Sequence, residues 1–143
     1  MIVFVALALA SCFEKGDCVV KNTNVVKISL KNKSDNSVHN IVLTSVEING
    51  VKAIPADTIA PVNVLLLPVD PTKTETTFVL HYGEEKKLVF DYTNQTLIPS
   101  ADCGAAVYQF DVKVKETTYD PAAIKKINDK LLSNATVNFE IYF

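Results

Sequence analysis

Cys12 closes the run Leu9-Ala10-Ser11-Cys12, and a thiol in that setting can do one specific piece of chemistry. Small residues at Ala10 and Ser11 let a peptidase bring its catalytic groups against the backbone. The cysteine then supplies the nucleophile for a diacylglyceryl thioether. Ahead of it, Ile2 to Ala10 is uncharged over nine residues, the length of a signal-peptide core. A bilayer span needs about 20 such residues. The pattern is that of a bacterial lipobox, so it predicts a lipoprotein signal peptide over 1–11 and an acylated Cys12. Each buried methylene contributes about 0.8 kcal/mol, so two or three palmitate-like chains would hold the protein to a membrane. No Lys or Arg precedes Lys15, so the usual basic start of such a signal is missing. The opposing reading, an N-terminal core strand with a buried free cysteine, is disfavoured because the chain has no other polarity break like this one.

The other thiols are Cys18 and Cys103. With Cys12 assigned to lipid they form an even pair in an oxidising compartment, and a disulfide between them is the preferred reading. They stand 85 positions apart, for which loop entropy gives about 4.5 kcal/mol. A metal site is the competitor, but zinc asks for more Cys or His ligands close by, and His39 and His81 are distant in sequence.

Catalysis would need a nucleophile, a base and an acid brought together. His39 falls in a polar turn beside Asn36 and Asn40, and His81 lies on the face opposite Leu80 and Tyr82; each reads as a surface histidine. Glu84-Glu85 adjoins Lys86-Lys87 and reads as a solvated turn. The glycines Gly16, Gly50, Gly83 and Gly104 are too dispersed for a phosphate loop, and no HExxH occurs. The expectation is no enzyme, no catalytic residues, no cofactor and no metal. The sequons at Asn32, Asn94 and Asn134 are expected to be incidental.

The elements that must carry these residues are strands. The chain has 143 residues and a formal net charge of −2, a balance that argues against an electrostatic nucleic-acid binder. Residues 12–22 read as an acylated tether and 23–143 as one β-sandwich domain. Val26, Ile28 and Leu30 alternate with polar neighbours, and Asn49-Gly50 is a strong hairpin turn. Pro55 and Pro61 suggest an edge or a crossover, and Val62 to Leu67 reads as an interior strand. Thr76, Phe78, Leu80 and Tyr82 alternate, as do Leu88, Phe90 and Tyr92, with His81 to Glu85 as their turn. Tyr108, Phe110, Val112 and Val114 are expected on one face. Asp120, Pro121 and the spacing of Ile124, Ile127 and Leu131 predict one short helix. The last strand sets Val137, Phe139, Ile141 and Phe143 on its buried side. The pattern is all-β, an antiparallel sandwich of about seven or eight strands with one helix before the last.

Gly16-Asp17-Cys18 soon after the lipobox, Ala101-Asp102-Cys103-Gly104 opening a long strand, and the closing strand from Asn134 to Phe143 together resemble a family of small lipoproteins of Bacteroidetes type, known as a domain of unknown function. The resemblance spans nearly the whole mature chain through short motifs. It implies an immunoglobulin-like sandwich in the cell envelope, anchored as an outer-membrane lipoprotein, and no activity. Within that lineage Asp57-Thr58-Ile59 resembles an O-glycosylation acceptor at Thr58. Lys15 between Glu14 and Asp17 leaves the membrane leaflet open.

These readings lead to a non-enzymatic envelope lipoprotein that binds a partner protein or serves an envelope complex, with the loops Asn32 to Asn40 and Asn94 to Asp102 as contact surfaces. The alternative is a surface module for a glycan or small ligand. Trp is absent and most aromatics fall on inward faces, leaving Tyr119 and Tyr142 to face outward. A hydrolase or a fimbrial subunit is disfavoured.

Overall fold

The computed structural model describes residues 24–53, 60–100, 103–132 and 136–143. Among these the chain is nearly all-β. In order the strands are β1 (Val25–Lys31), β2 (Ile41–Val42), β3 (Ser45–Ile48), β4 (Val51–Ala53), β5 (Pro61–Val62), β6 (Val64–Pro68), β7 (Glu75–His81), β8 (Glu85–Ser100), β9 (Gly104–Thr117), β10 (Ile124–Lys126) and β11 (Phe139–Tyr142). The count exceeds the seven or eight expected because β2, β4, β5 and β10 are only two or three residues long.

Two main sheets result. One has the order β10-β11-β1-β6, the other β4-β3-β7-β8-β9, and β2 with β5 forms a small third. The chain passes repeatedly from one main sheet to the other. Pro61 opens one such passage in β5, between β4 of the second sheet and β6 of the first. The second sheet is antiparallel throughout. The first is mixed, because β1 runs parallel to β11, with Ile28 opposite Phe139 and Leu30 opposite Ile141. The all-antiparallel expectation is corrected there. A parallel neighbour leaves no mark on side-chain alternation, since the period of two is the same either way.

That alternation builds the core. Val26, Ile28, Leu30, Leu65, Leu67, Phe139 and Ile141 of the first sheet share one buried cluster with Phe78, Leu80, Leu88, Phe90 and Val112 of the second. The ring of Phe90 meets that of Phe139 at 5.2 Å and that of Phe78 edge-on at 6.0 Å. At the β3–β4 hairpin, Asn49 and Gly50 take φ of 51° and 80°, as a type I′ turn requires. Val62 to Leu67 is not an interior strand. Its main part, β6, is an edge strand among the described residues; it buries Leu65 and Leu67 and leaves Leu66 55% exposed. The run was apolar on both faces, so alternation could not reveal the exposed side.

The predicted helix does not form. Asp120 Oδ1 accepts from the Ala122 amide at 3.0 Å and Pro121 opens a 3-10 turn, Pro121–Ala123, so Asp120-Pro121 does start a helical turn. One turn later Ile124 is extended and pairs with Ile141. Helix propagation would need the backbone groups that follow, and neighbouring strands take them instead. Ile127 and Asn128 donate to the Asn138 carbonyl, Leu131 donates to Gln109, and Asp129 accepts from Val112. The supposed apolar stripe therefore scatters, with Ile124 half-buried, Ile127 exposed and Leu131 buried.

Candidate functional site

The longest elements of the molecule, β8 and β9, form one hairpin that runs from Leu88 opposite Thr117 to Ser100 opposite Gly104. Its proximal half lies in the second sheet, where β7 pairs with β8 as far as Asp91. Beyond Thr93 no strand among the described residues pairs with the other side of β8, and the hairpin continues as a two-stranded arm. The expected loop Asn94 to Asp102 is thus corrected: as far as Ser100 it is strand. Its polar residues suggested a loop, yet Thr93, Gln95 and Thr96 suit a solvated ribbon equally well.

The halves part at a bulge. Asp91 pairs with Lys113 and Thr93 with Phe110, so Asp111 and Val112 stand against Tyr92 alone. Asp111 takes φ of 55°, a left-handed conformation that short polar residues tolerate better than most. The extra residue reverses the alternation. Val112 is fully buried after the bulge and Gln109 is fully buried before it. Tyr108 and Phe110 therefore do not share a face with Val112 and Val114, against the expectation of one continuous face. Gln109 Nε2 donates to Asn94 Oδ1 at 3.0 Å, while its Oε1 is buried without a partner.

Past that point the arm exposes apolar side chains, Leu97 at 39% and Ile98 at 69%. Two-stranded ribbons are marginally stable alone in water. Cys103 stands in the turn at the arm's tip, half-buried and engaged in an interaction. Its expected partner Cys18 lies outside the described residues, as do Cys12 and Thr58 with their expected acylation and O-glycosylation.

A second group of residues gathers where the Asn32–Asn40 loop meets the β7–β8 turn. The loop is tightly bonded: Asn32 Nδ2 donates to Ser37 Oγ at 2.8 Å and to the Val38 carbonyl at 3.2 Å, and Asn36 adopts φ of 58°. Asn32 Oδ1 lies 2.7 Å from His39 Nδ1, and the His39 ring stacks on Phe143 at 4.2 Å. Tyr82 and Tyr119 meet the same Phe143 ring edge-on at 6.3 and 6.1 Å. The Tyr82 hydroxyl donates to that of Tyr119 at 2.9 Å, and Lys86 Nζ lies 5.5 Å from the Tyr119 ring centre. Burial pushes the Tyr119 hydroxyl up to about 12 and raises that of Tyr82 further. Tyr119 was expected to face outward but is 7% exposed, because its ring completes this cluster. Tyr142 is half-buried and donates to Glu140 Oε2 at 2.7 Å.

His81 lies elsewhere, with Nε2 3.2 Å from Glu47 Oε1 and Nδ1 3.9 Å from Glu85 Oε2. The two histidines are therefore not brought together. The amides of the Asn32 and Asn94 sequons are both engaged, Asn94 Nδ2 donating to the Lys73 carbonyl at 2.6 Å. No group of three or more His, Cys, Asp or Glu side chains suited to a metal occurs among the described residues, and none of their helices is long and apolar enough to cross a membrane.

Sequence reasoning missed Asp111, Gln109 and the apolar exposure of Leu97 and Ile98. The available signal was Leu97-Ile98-Pro99, adjacent apolar residues that no alternating pattern could bury together. A family model described as a family of unknown function (DUF6452) matches residues 42–143. No curated protein and no solved structure matches the chain. The matched span runs from the end of β2 through β11, taking in the arm and most of both main sheets, and the chain accordingly belongs to this DUF6452 family of unknown function.

Proposed function

We propose that the protein is a non-enzymatic lipoprotein of the bacterial cell envelope that binds a partner protein, as an accessory of an envelope complex, through the distal half of the β8–β9 arm. The observation that carries this reading is the exposure of Leu97 and Ile98 on a ribbon that neither main sheet covers. Apolar side chains on an unsupported ribbon are what a partner surface would bury. The lipobox at Cys12 supports an acyl anchor in the outer membrane, and the motifs around Cys18 and Cys103 support the Bacteroidetes-type lineage. A Cys18–Cys103 disulfide would clamp the tether to the arm's tip, next to the membrane-attached segment. Two main sheets around a single cluster support an immunoglobulin-like sandwich as the scaffold. Thr58 remains the proposed O-glycosylation site.

The test is capture from gently cross-linked envelopes. Wild type should retain a defined protein that Ile98→Asp loses, while both fold alike. Equal capture by Ile98→Asp would remove the arm from the assignment. An empty capture by properly acylated protein would favour the alternative, a glycan- or small-ligand-binding module. The half-buried rings of His39, Phe143 and Tyr82 favour that second reading, because partly exposed rings provide the apolar faces on which a sugar stacks.

A further inference from the structure

A cleft of about 680 Å3 opens between β9 and β10, where the two main sheets end side by side. Its lining includes Phe139, Val114 and Ile124 as apolar surface, with Lys113, Lys115 and Lys126 as cationic residues. Phe139 is 2% exposed and touches Phe90, so the cleft reaches the core. That volume lies within the range of small-molecule sites, which combine apolar walls with a few polar groups that orient the ligand.

Two kinds of occupant could fill a gap between sheet edges, a peptide adding as a strand or a molecule that needs no backbone pairing. The β9 edge decides between them. Val89 pairs with Glu116 and Phe90 with Val114, leaving Lys115 as an extra, unpaired residue. A bulge and lysines on an edge strand are devices that block strand addition. On the other side β10 offers only three residues. A flexible hydrocarbon chain has no such requirement.

Each of the three lysines is paired with a carboxylate. Lys113 Nζ lies 3.4 Å from Asp91 Oδ2, Lys126 Nζ lies 3.9 Å from Asp129 Oδ2, and Lys115 is bonded to Glu75. All three ammonium side chains are at least half exposed, and ion pairs of that kind exchange readily. Glu116 also lines the cleft and is itself paired with Lys87 at 2.9 Å. An incoming anion would compete with Asp91, Asp129 and Glu75 for these three ammonium groups.

We propose that this cleft binds a single-chain anionic amphiphile, its hydrocarbon chain on Val114, Ile124 and Phe139 and its headgroup at Lys113, Lys115 and Lys126. The headgroup chemistry, a carboxylate or a phosphate, is shared by free fatty acids and by lipid-derived phosphates.

Calorimetric titration of the full chain with dodecanoate and with dodecyl phosphate, each below its micelle concentration, tests this. One saturable equivalent is expected, with dodecanol weaker by about tenfold and acetate and inorganic phosphate silent. Tighter binding of dodecyl phosphate would point to a lipid phosphate, and tighter binding of dodecanoate to a free fatty acid. Lys113→Gln and Lys126→Gln, both surface changes, should each weaken binding about three- to fivefold. Ile124→Trp, checked for folding by thermal melting, should abolish it by filling the cleft. Equal affinity for dodecanol, non-saturable uptake, or unchanged binding by both lysine variants would overturn the proposal. So would an acidic peptide that occupies the β9 edge while dodecanoate does not.

Discussion

The two halves of one hairpin differ in what covers them. The proximal half of β8–β9 places Leu88, Phe90, Tyr92 and Val112 in the core, whereas the distal half holds Leu97 and Ile98 out in solvent. Both halves belong to the same antiparallel pairing of β8 with β9, interrupted by bulges. Backbone pairing alone therefore does not separate the scaffold from the proposed contact surface. What separates them is a second layer: the first sheet stands opposite the proximal half and supplies Phe139, and among the described residues no sheet faces the distal half. The bulge at Asp111 marks the change.

Phe90→Ala should produce the largest effect, because it removes a fully buried ring at the junction of the sheets. The expected cost is about 3–5 kcal/mol, read as a lower denaturation midpoint at unchanged slope. A loss below 1 kcal/mol would break the claim that the proximal half is the scaffold. Asn138→Ala comes next. The fully buried Asn138 carboxamide accepts from Lys27 N at 2.9 Å and donates to the carbonyls of Asn128 and Lys130. These bonds hold the segment that covers the β9 edge at Gln109 and Val112, where the halves part. Leaving such groups unpaired costs about 1–3 kcal/mol, and amide exchange at Val112 and Leu131 should quicken together.

Asp111→Val should cost about 1–2 kcal/mol, since a β-branched residue resists positive φ, whereas Asp111→Gly should match or exceed wild type. If both behave alike, the bulge is not what sets the two faces. A smaller effect follows from acid. The Tyr142 hydroxyl, and then Lys31 at 3.3 Å, hold the Glu140 carboxyl below its ordinary 4.5. A depressed carboxylate contributes stability that is present above its unfolded value and fades as pH falls through the folded one. Stability should therefore decline below pH 4.5, and Tyr142→Phe should make that decline shallower in denaturant titrations. Smallest of all, Ile98→Ala should change stability by no more than about 0.5 kcal/mol. A larger loss would mean the arm carries weight in the fold.

Much of the body could be read from residue order. Where one face of a strand is apolar and the other polar, as in Val26-Lys27-Ile28-Ser29-Leu30 or Thr76 to Leu80, burial followed the alternation. Where both faces are apolar, as from Val62 to Leu67, it did not. Local signals were right over their own range: Asn49-Gly50 made its turn, and Asp120-Pro121 started one turn of 3-10 helix. They failed when extended, because the backbone after Ala123 was claimed by β9 and β11. Of the candidate surfaces, the Asn32–Asn40 loop was visible in its polar residues. The arm was hidden, since a solvated ribbon and a loop share the same composition.

The sequence by itself determined the strand-rich body, the Asn49-Gly50 turn and the inward residues of cleanly alternating strands such as β1 and β7, because these depend on neighbours one to four positions away. Tertiary structure alone decided the parallel β1–β11 pair, the reversal of face at Asp111, and the gathering of His39, Tyr82, Tyr119 and Phe143. It also decided which half of the hairpin would meet a second layer. Each of those outcomes rests on contacts between residues far apart in the chain, and local spacing carries no record of them.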